Sequence, residues 1–371
     1  MKMKAKELLP LLTTHGRTLF DEDRQALFFN WTCSGFTVAF SGTRLSARMT
    51  ALGDKIPPMP GFPEPPVDWP CFGVVTENGE LENRTECREE DAPFTLWEGA
   101  PGEHTLRVVK LSENARGKLG LLELETDGEF LPAPARKWPV VEFVGDSITC
   151  GFGNEAADND MVFRTREENG WTSYGALAAR ELGCEWSMIC ESGIAVSRPE
   201  REIFPMHAMD EIYAFTDELF DTKRGAGPAK WDFAARRSDI VVINLGTNDA
   251  TPIRFYRDAS EIEPMELHFQ QKYKAFLKEV RRLNGPDALI VCSLGSMDYY
   301  LYDRLLAAVN EYKEETGDGK IVPFKFVAIN FLTEGYGGGA HPSSKTHARM
   351  GAQLASFLRP YVDKVKKERE R

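Results

Sequence analysis

The first 130 residues alternate between apolar and polar positions in short stretches, as half-buried β-strands do. The predicted strands are Gly35–Ser41, Arg44–Met49, Cys71–Thr76, His104–Leu111 and Leu121–Thr126. The dipeptides Asn78-Gly79 and Asp127-Gly128 mark turns after two of these strands. Short strands separated by turns predict an all-β sandwich of the jelly-roll type over residues 1–135.

A proline-rich segment interrupts this region. Seven of the 18 residues in Gly53–Pro70 are proline. Since proline fixes φ and cannot donate a hydrogen bond to a strand ladder, we expect a stiff, extended loop here and not a strand.

The pattern changes after Leu131–Pro139, which is typical of a linker. Apolar strands then alternate with segments of helical periodicity, and this alternation predicts a parallel α/β sheet over residues 140–371. The predicted strands are Val140–Val144, Glu185–Cys190, Asp239–Leu245, Ala288–Leu294 and Pro323–Asn330. The predicted helices are Trp171–Leu182, Glu261–Leu283, Tyr299–Glu315 and Lys345–Phe357.

Composition narrows the possible partners. The 371 residues carry a net charge of −12, which argues against nucleic acid or an anionic membrane as the main partner. We find no apolar run of the roughly 20 residues that a membrane span needs, and we expect no signal peptide, because the apolar part of the N-terminal segment is short and contains Pro10. The seven cysteines are scattered without a C-x-x-C pair, so we expect reduced thiols of a cytoplasmic protein and no zinc site.

Polar and small residues follow four of the predicted parallel strands. Ligands of open α/β sheets bind beyond the carboxyl ends of the strands. The residues there are Gly145-Asp146-Ser147, Glu191-Ser192-Gly193, Gly246-Thr247-Asn248-Asp249 and, after the last strand, a glycine-rich loop that leads to His341-Pro342. They offer a hydroxyl, a glycine amide, a side-chain amide and an imidazole, which are the groups that acyl transfer requires.

These four blocks, in this order, resemble those of the SGNH (GDSL-type) hydrolase superfamily. The β-rich region that precedes them resembles carbohydrate esterase family 2, a family of two-domain acetyl esterases. The resemblance implies a flavodoxin-like catalytic domain, with Ser147 as nucleophile and His341 as general base. It also implies an oxyanion hole formed by the backbone N–H groups of Ser147 and Gly193 and by the side chain of Asn248. It implies no metal and no cofactor.

The chain departs from the superfamily at one catalytic position. The superfamily places an aspartate three residues before the histidine, and Gly338 occupies that position here. Some members of carbohydrate esterase family 2 likewise resemble Ser–His dyads in which a backbone carbonyl orients the imidazole, and the resemblance implies such a dyad here. A carboxylate from elsewhere, such as Glu334 or Asp298, is the alternative.

Each of these residues also has a purely structural interpretation. Ser147 would be a helix cap, Gly193 a turn residue, and Asn248 a residue that stabilises its own loop. Five other histidines compete with His341, and we expect His347 to be structural within the final helix. The stretch Gly335–Ala340 formally matches a dinucleotide-binding G-x-G-x-x-A, but it has no following βαβ unit.

Aromatic residues are candidates for sugar binding because pyranose rings stack on flat faces. The candidates are Trp171, Trp69, Tyr299 and Tyr336. The expected function is a carbohydrate O-acetyl esterase that acts on xylan- or mannan-derived oligosaccharides. A general short-chain or lipid esterase and a non-catalytic carbohydrate-binding protein are the alternatives. The sequence leaves the sugar backbone and the oligomeric state open.

Overall fold

The computed structural model describes residues 1–55, 67–158, 160–161, 164–199 and 207–369. An antiparallel β region comes first along the chain and a parallel α/β region follows it. The strands of the first region are β1 (Lys2–Lys4), β2 (Thr13–His15), β3 (Leu19–Asp21), β4 (Ala26–Phe28), β5 (Gly35–Leu52), β6 (Asp54–Lys55), β7 (Val67–Asp68), β8 (Cys71–Val75), β9 (Leu81–Glu86), β10 (Ala92–Lys110), β11 (Lys118–Thr126) and β12 (Phe130–Leu131). The strands of the second are β13 (Val140–Gly145), β14 (Glu185–Cys190), β15 (Ile240–Asn244), β16 (Leu289–Leu294) and β17 (Ile321–Lys325).

The helices lie mainly in the second region. They are α1 (Ala5–Leu8), α2 (Ser147–Cys150), α3 (Tyr174–Leu182), α4 (Met209–Ile212), α5 (Glu218–Lys223), α6 (Thr247–Ile253), α7 (Ala259–Asn284), α8 (Tyr302–Thr316), α9 (Phe331–Glu334) and α10 (Ser344–Arg369). Short 3₁₀ turns occur at Thr165–Glu167, Gly170–Thr172 and Gly338–Ala340. Among the described residues, no helix combines the length and the apolar composition needed to cross a bilayer.

The two strands predicted on either side of Gly42 are one long strand, β5. A glycine is required at this position because its φ is 136° and a Cβ atom would lie 2.2 Å from Asp127 Oδ1. Side chains from both halves of β5, such as Phe36 and Met49, belong to one apolar core. The antiparallel sheet therefore folds over on itself and encloses that core.

The proline-rich segment is paired at its ends. Asp54 lies opposite Asp68, and Lys55 lies opposite Val67, in a two-residue antiparallel ladder. The prediction of a loop without strand pairing over Gly53–Pro70 is therefore wrong at both ends. Residues 56–66 lie outside the described residues.

The parallel sheet has the strand order β14-β13-β15-β16-β17. This is the flavodoxin-like order, with the first strand beside the second and third, and it confirms the predicted α/β class. The register places Gly145 opposite both Cys190 and Asn244, so β13, β14 and β15 end at the same level. The loops that follow these three strands therefore start side by side.

Of the predicted ends in the α/β region, those of the last strand and the final helix differ most from the observed ones. The last strand ends at Lys325, not at Asn330, because Lys325 pairs with Leu294, the last residue of its neighbour β16. The final helix continues to Arg369, well beyond Phe357. Leu358 and Val362 enter the same apolar core of the α/β region as Met350 and Leu354 earlier in this helix, so packing maintains the helix through this stretch.

The two regions share apolar cores. Trp31 of the antiparallel region belongs to a core formed by β14, β15, β16 and the helices beside them, and its Nε1–H donates to Thr216 O at 2.8 Å. Arg17, which is 1% exposed, donates to the carbonyl oxygens of Tyr213 and Phe215, both at 2.5 Å. The antiparallel region is therefore packed firmly against the α/β region.

Candidate active site

Ser147 is the first residue of α2 and directly follows β13 and Asp146. Asp146 caps this helix, because its Oδ1 accepts a hydrogen bond from Ile148 N–H at 3.0 Å. Burial raises the pKa of Asp146 to about 7. The capping role thus belongs to Asp146, and the hydroxyl of Ser147 is left to contact His341. Ser147 is 8% exposed.

His341 is hydrogen-bonded to Ser147 through one ring nitrogen and lies against backbone carbonyls with the other. The distance between Nε2 and Ser147 Oγ is 2.9 Å. Nδ1 lies 3.1 Å from Gly338 O and 3.0 Å from Gly339 O. Because a carbonyl oxygen can only accept, the ring proton belongs on Nδ1, and Nε2 is free to accept the proton of the serine hydroxyl.

The electrostatic setting keeps the imidazole neutral. Burial lowers the pKa of His341, and the two carbonyl contacts only partly offset this effect. The ring of Phe152 contributes to the burial, with its centroid 4.5 Å from that of the imidazole. A neutral imidazole at neutral pH is the form that can act as a general base.

Both carboxylates that were alternative partners for His341 are engaged elsewhere. Glu334 Oε1 accepts from Arg349 Nε at 2.5 Å, and its Oε2 accepts from the Thr346 hydroxyl at 2.9 Å. Asp298 Oδ2 pairs with Arg254 at 2.5 Å. The contacts on the Nδ1 side of the imidazole are therefore the two backbone carbonyls.

The glycine-rich stretch before His341 docks on the loop that follows α2. Gly338 N–H donates to Gly153 O at 2.8 Å, and Gly339 N–H donates to Asp160 O at 2.8 Å. A Cβ atom on Gly153 would lie 2.9 Å from Gly338 Cα. The glycines therefore permit a close approach between two backbones, which explains the stretch without a dinucleotide.

Gly193 and Asn248 lie on the loops that follow β14 and β15. Gly193 has a φ of +83°, and a Cβ atom there would meet no atom within 4 Å, so its open side faces free space. Asn248 Nδ2 donates to Ile194 O at 2.9 Å, which joins the two loops. An amide carries two N–H donors, and one remains for a ligand. Asp249 braces the same pair of loops, since both its carboxylate oxygens lie 3.1 Å from Val196 N.

The structure does not support contact between Trp171 and a substrate. Trp171 is 5% exposed, and the guanidinium groups of Arg107 and Arg180 lie over its ring at 5.5 and 4.3 Å. Its neighbour Trp186 is the second residue of β14 and so lies near the amino end of that strand, whereas Ser147 follows the carboxyl end of β13. The prediction failed because Trp171 lies in the turn before α3, and the helical periodicity that predicts α3 does not show at which end of the sheet this turn lies.

The other three aromatic candidates differ in their surroundings. Tyr336 pairs with Pro342 in an isolated bridge, beside His341, and its half-buried ring is parallel to that of Phe331 at 6.0 Å. Tyr299 is anchored by its hydroxyl, which donates to Phe326 O at 2.8 Å. Trp69 packs against the core of the antiparallel region. Tyr336 is therefore the best placed of the three for contact with a ligand.

Sequence reasoning missed three residues around the site. Phe152 covers the imidazole, and Phe331, which is 57% exposed, extends the aromatic surface of Tyr336. Glu113 comes from the antiparallel region and accepts a hydrogen bond from Ser192 N–H, next to Gly193. Phe152 lies in a Gly-Phe-Gly run near Ser147, which was an available signal, whereas Glu113 lies in a polar segment that has the pattern of a surface loop.

Two known families match the chain in succession. The carbohydrate esterase 2 N-terminal family matches residues 14–134. The GDSL-like lipase/acylhydrolase family matches residues 143–349, which is more than half of the chain.

Curated relatives agree with these matches. An acetylxylan esterase/glucomannan deacetylase of Cellvibrio japonicus is 30% identical over 357 residues, which cover 95% of this chain and 90% of that enzyme. The cellulase/esterase CelE of Acetivibrio thermocellus is 33% identical over 268 residues, or 70% of this chain. The match spans only 30% of the length of CelE.

Solved structures show the same architecture over nearly the whole chain. A family two carbohydrate esterase from Clostridium thermocellum, in complex with cellohexaose, has a TM-score of 0.79 at 28% identity and covers 95% of this chain and 99% of that chain. The acetyl xylan esterase Est2A from Butyrivibrio proteoclasticus has a TM-score of 0.83 at 22% identity, with 98% of both chains covered, and supports the fold. The chain belongs to family 2 of the carbohydrate esterases, within the GDSL-like lipases and acylhydrolases, and so to the carboxylic ester hydrolases.

Proposed function

We propose that the chain is a carbohydrate O-acetyl esterase that removes acetyl groups from acetylated xylan- or mannan-derived oligosaccharides. The observation that carries the proposal is the hydrogen bond of 2.9 Å between Ser147 Oγ and His341 Nε2 at the carboxyl edge of the parallel sheet. A serine and a neutral imidazole at this distance form a nucleophile and its base. Family membership supports the reaction class, and the names of the relatives support the substrate class.

In the first half of the reaction, Ser147 Oγ attacks the acetyl carbonyl carbon while His341 Nε2 takes the hydroxyl proton. The carbonyl oxygen becomes an oxyanion, which accepts hydrogen bonds from the N–H groups of Ser147 and Gly193 and from Asn248 Nδ2. The intermediate then breaks its bond to the sugar oxygen, which leaves with the proton from Nε2. The products of this half-reaction are a free sugar hydroxyl and an acetyl ester on Ser147.

In the second half, a water molecule gives a proton to His341 Nε2 and attacks the acetyl ester. The same donors stabilise the second oxyanion. Collapse of this intermediate returns the proton on Nε2 to Ser147 Oγ and releases acetic acid, which ionises to acetate in solution. The proposed residues thus act in both halves of the reaction, and each returns to its starting protonation and bonding state.

We propose that His341 acts in a dyad. The carbonyls of Gly338 and Gly339 take the place of the superfamily aspartate by accepting from Nδ1–H. A carbonyl dipole stabilises an imidazolium less than a full negative charge does. The expected consequence is a base of lower pKa, which matches the direction that burial imposes on His341.

The aromatic pair Phe331–Tyr336 supports a carbohydrate as the substrate. The rings are nearly parallel, with an interplanar angle of 5°, and the backbone of Tyr336 pairs with Pro342, the residue that follows His341. Leu332 next to them is 83% exposed. Flat, partly exposed rings beside the reacting groups suit the apolar face of a pyranose.

Acetate release from acetylated oligosaccharides tests the proposed substrate. We expect faster release from acetylated xylo- or manno-oligosaccharides than from 4-nitrophenyl acetate at equal concentration, and much slower cleavage of 4-nitrophenyl butyrate. Tyr336→Ala is expected to raise KM for the oligosaccharides but not for 4-nitrophenyl acetate. Cleavage of butyrate without any release from sugars would point to a general short-chain or lipid esterase. Sugar binding without cleavage of any ester would point to a non-catalytic binding protein.

We also propose that the protein works in a reducing compartment, the cytoplasm. All seven cysteines are buried and unpaired, as expected where thiols stay reduced. Titration of the unfolded protein, isolated from its source without reductant, should find seven thiols. A disulfide found in that material would contradict the proposal.

A further inference from the structure

The segment between β10 and β11 reaches from the antiparallel region to the loops around Ser147 and Gly193. Glu113 in this segment is 0% exposed. Its Oε2 accepts from Ser192 N–H at 2.5 Å and lies 3.7 Å from Cys150 Sγ. Its Oε1 accepts from Arg116 Nε at 3.1 Å. One carboxylate thus contacts both the residue before Gly193 and the last residue of the helix that begins with Ser147.

The position of Gly193 depends on how the residues beside it in the chain are held. It has no side chain, its φ is +83°, and no atom lies where its Cβ would be. The peptide that carries its N–H is joined directly to Ser192, whose own N–H is held by Glu113. Fixing Ser192 therefore fixes the direction of the Gly193 N–H.

We propose that Glu113 is a positioning residue that aims the N–H of Gly193 at the oxyanion. The inference rests on the oxyanion role proposed above for Gly193. It gives the antiparallel region a part in the chemical step, through one side chain, in addition to any part in binding sugar.

The charges around Glu113 agree with this role. Glu168 lies beside it and accepts from Glu113 N–H at 3.1 Å. Burial, together with the charge of Glu113, raises the pKa of Glu168 well above its usual range. Glu113 faces two donors, Ser192 N–H and Arg116, which a carboxylate in a buried site requires.

The same cluster does not fit a metal ion. The ligand atoms of Glu113, Cys150 and Glu168 lie within 4.8 Å of one another, but hydrogen-bond donors already occupy both carboxylate oxygens of Glu113. Arg116 pairs with Glu113, and Lys110 Nζ donates to Glu113 O at 2.6 Å. A dication would add positive charge to a site that already has its counter-charges.

Three substitutions in the buried pair provide the test. Glu113→Gln has a single accepting oxygen, which cannot serve both Ser192 N–H and Arg116. Glu113→Asp keeps the charge but withdraws it from Ser192 by one methylene. Glu168→Gln is the matched control, since it is buried in the same cluster and resembles the protonated Glu168 without contacting Ser192. Steady-state kinetics on an acetyl ester would be measured across pH, with active sites counted by a serine-reactive phosphonate and folding checked by thermal melting.

We expect kcat per active site to fall roughly 10- to 100-fold in Glu113→Gln and Glu113→Asp, with KM changed less than about 3-fold, because a misdirected oxyanion donor acts on the transition state. Loss of the charge in Glu113→Gln should also move the acid limb of the pH profile to lower pH, since the charge of Glu113 raises the pKa of His341. Glu113→Asp should leave that limb in place. Glu168→Gln should keep kcat within about 3-fold of wild type.

The inference is overturned if both Glu113 variants keep kcat within about 3-fold of wild type, or if Glu168→Gln loses as much as they do. Glu113→Asp decides the question should Glu113→Gln fail to fold. Ser147→Ala, assayed alongside, distinguishes a failure of the proposed function from a failure of the inference about Glu113. Hydrolysis that survives in Ser147→Ala means that the proposed function has failed, whereas an inactive Ser147→Ala with normal Glu113 variants means that only this inference has failed.

Discussion

The loop that carries His341 and the loop that carries Gly193 are held in different ways. Backbone hydrogen bonds from Gly338 and Gly339 attach the first loop to the segment that follows α2. Side chains attach the second loop, through Glu113 at Ser192 and Asp249 at Val196. The first attachment depends on two backbones approaching each other closely, and the second depends on buried charge. The two loops should therefore respond to different kinds of substitution.

The largest effect is expected from the side-chain attachments. Asn248→Ala removes a proposed oxyanion donor and the hydrogen bond to Ile194 O at once. We expect kcat on an acetyl ester to fall about 10²- to 10³-fold, with KM nearly unchanged. Stopped-flow or steady-state kinetics, with rates expressed per titrated active site, would measure this effect. A loss below about tenfold would mean that Asn248 braces the loops without acting on the oxyanion.

A smaller effect is expected from a steric change under the His341 loop. A methyl group at Gly153 would lie 2.9 Å from Gly338 Cα and push the loop, and with it the imidazole, away from Ser147. We expect Gly153→Ala to lower kcat by up to about 10²-fold, since a shift of roughly 1 Å costs about that much.

Gly225→Ala is the matched control for the backbone strain. Gly225 has a similar positive φ of 70°, but no atom lies within 4 Å of the position of its Cβ. The control should lose some stability and keep its activity. Equal losses of kcat in the two variants would show that strain, and not the contact with Gly338, disturbs the His341 loop.

The pH profile distinguishes the backbone-held imidazole from one held by a carboxylate. In the proposed mechanism neutral His341 is the active form, so activity is expected to fall as pH falls through the pKa of His341. Because burial lowers this pKa, the acid limb of kcat/KM should lie below the pKa of an exposed histidine. An acid limb above that value would indicate that a carboxylate faces the imidazole during catalysis.

The smallest effect is expected at the two carboxylates that were alternative partners of His341. Glu334 is paired with Arg349, and Asp298 with Arg254. Glu334→Gln and Asp298→Asn should therefore change kcat/KM by less than about 3-fold and leave the acid limb where it is. A drop of about 10⁴-fold in either variant, as in triads that lose their aspartate, would identify a triad instead of a dyad.

The sequence predicted well where one local pattern decides the structure. The buried strands at Val140 and Glu185 follow from apolar runs that end in small polar residues, and the structure has strands that begin at these residues. The run of glycines before His341 indicated a loop that needs space. In the structure this loop closely approaches the backbone at Gly153.

The sequence predicted poorly where distant segments decide. Trp171 was a candidate for sugar binding, but Arg107 from the other region lies over its ring. Glu113 had the pattern of an exposed loop residue, yet it is buried because β10 and β11 carry their connection into the α/β region. Contacts between residues about 80 positions apart, such as Glu113 and Ser192, leave no periodic signal in either segment.

Acetate release by the wild-type protein and by Ser147→Ala is the measurement that tests the central claim most directly. Acetylated xylo-oligosaccharide would be the substrate, and a melting curve would confirm that the variant folds. The account predicts that Ser147→Ala releases acetate at least about 10⁴-fold more slowly, because the bond from serine to the acetyl carbon can no longer form. A folded Ser147→Ala protein with a rate within tenfold of wild type would contradict it.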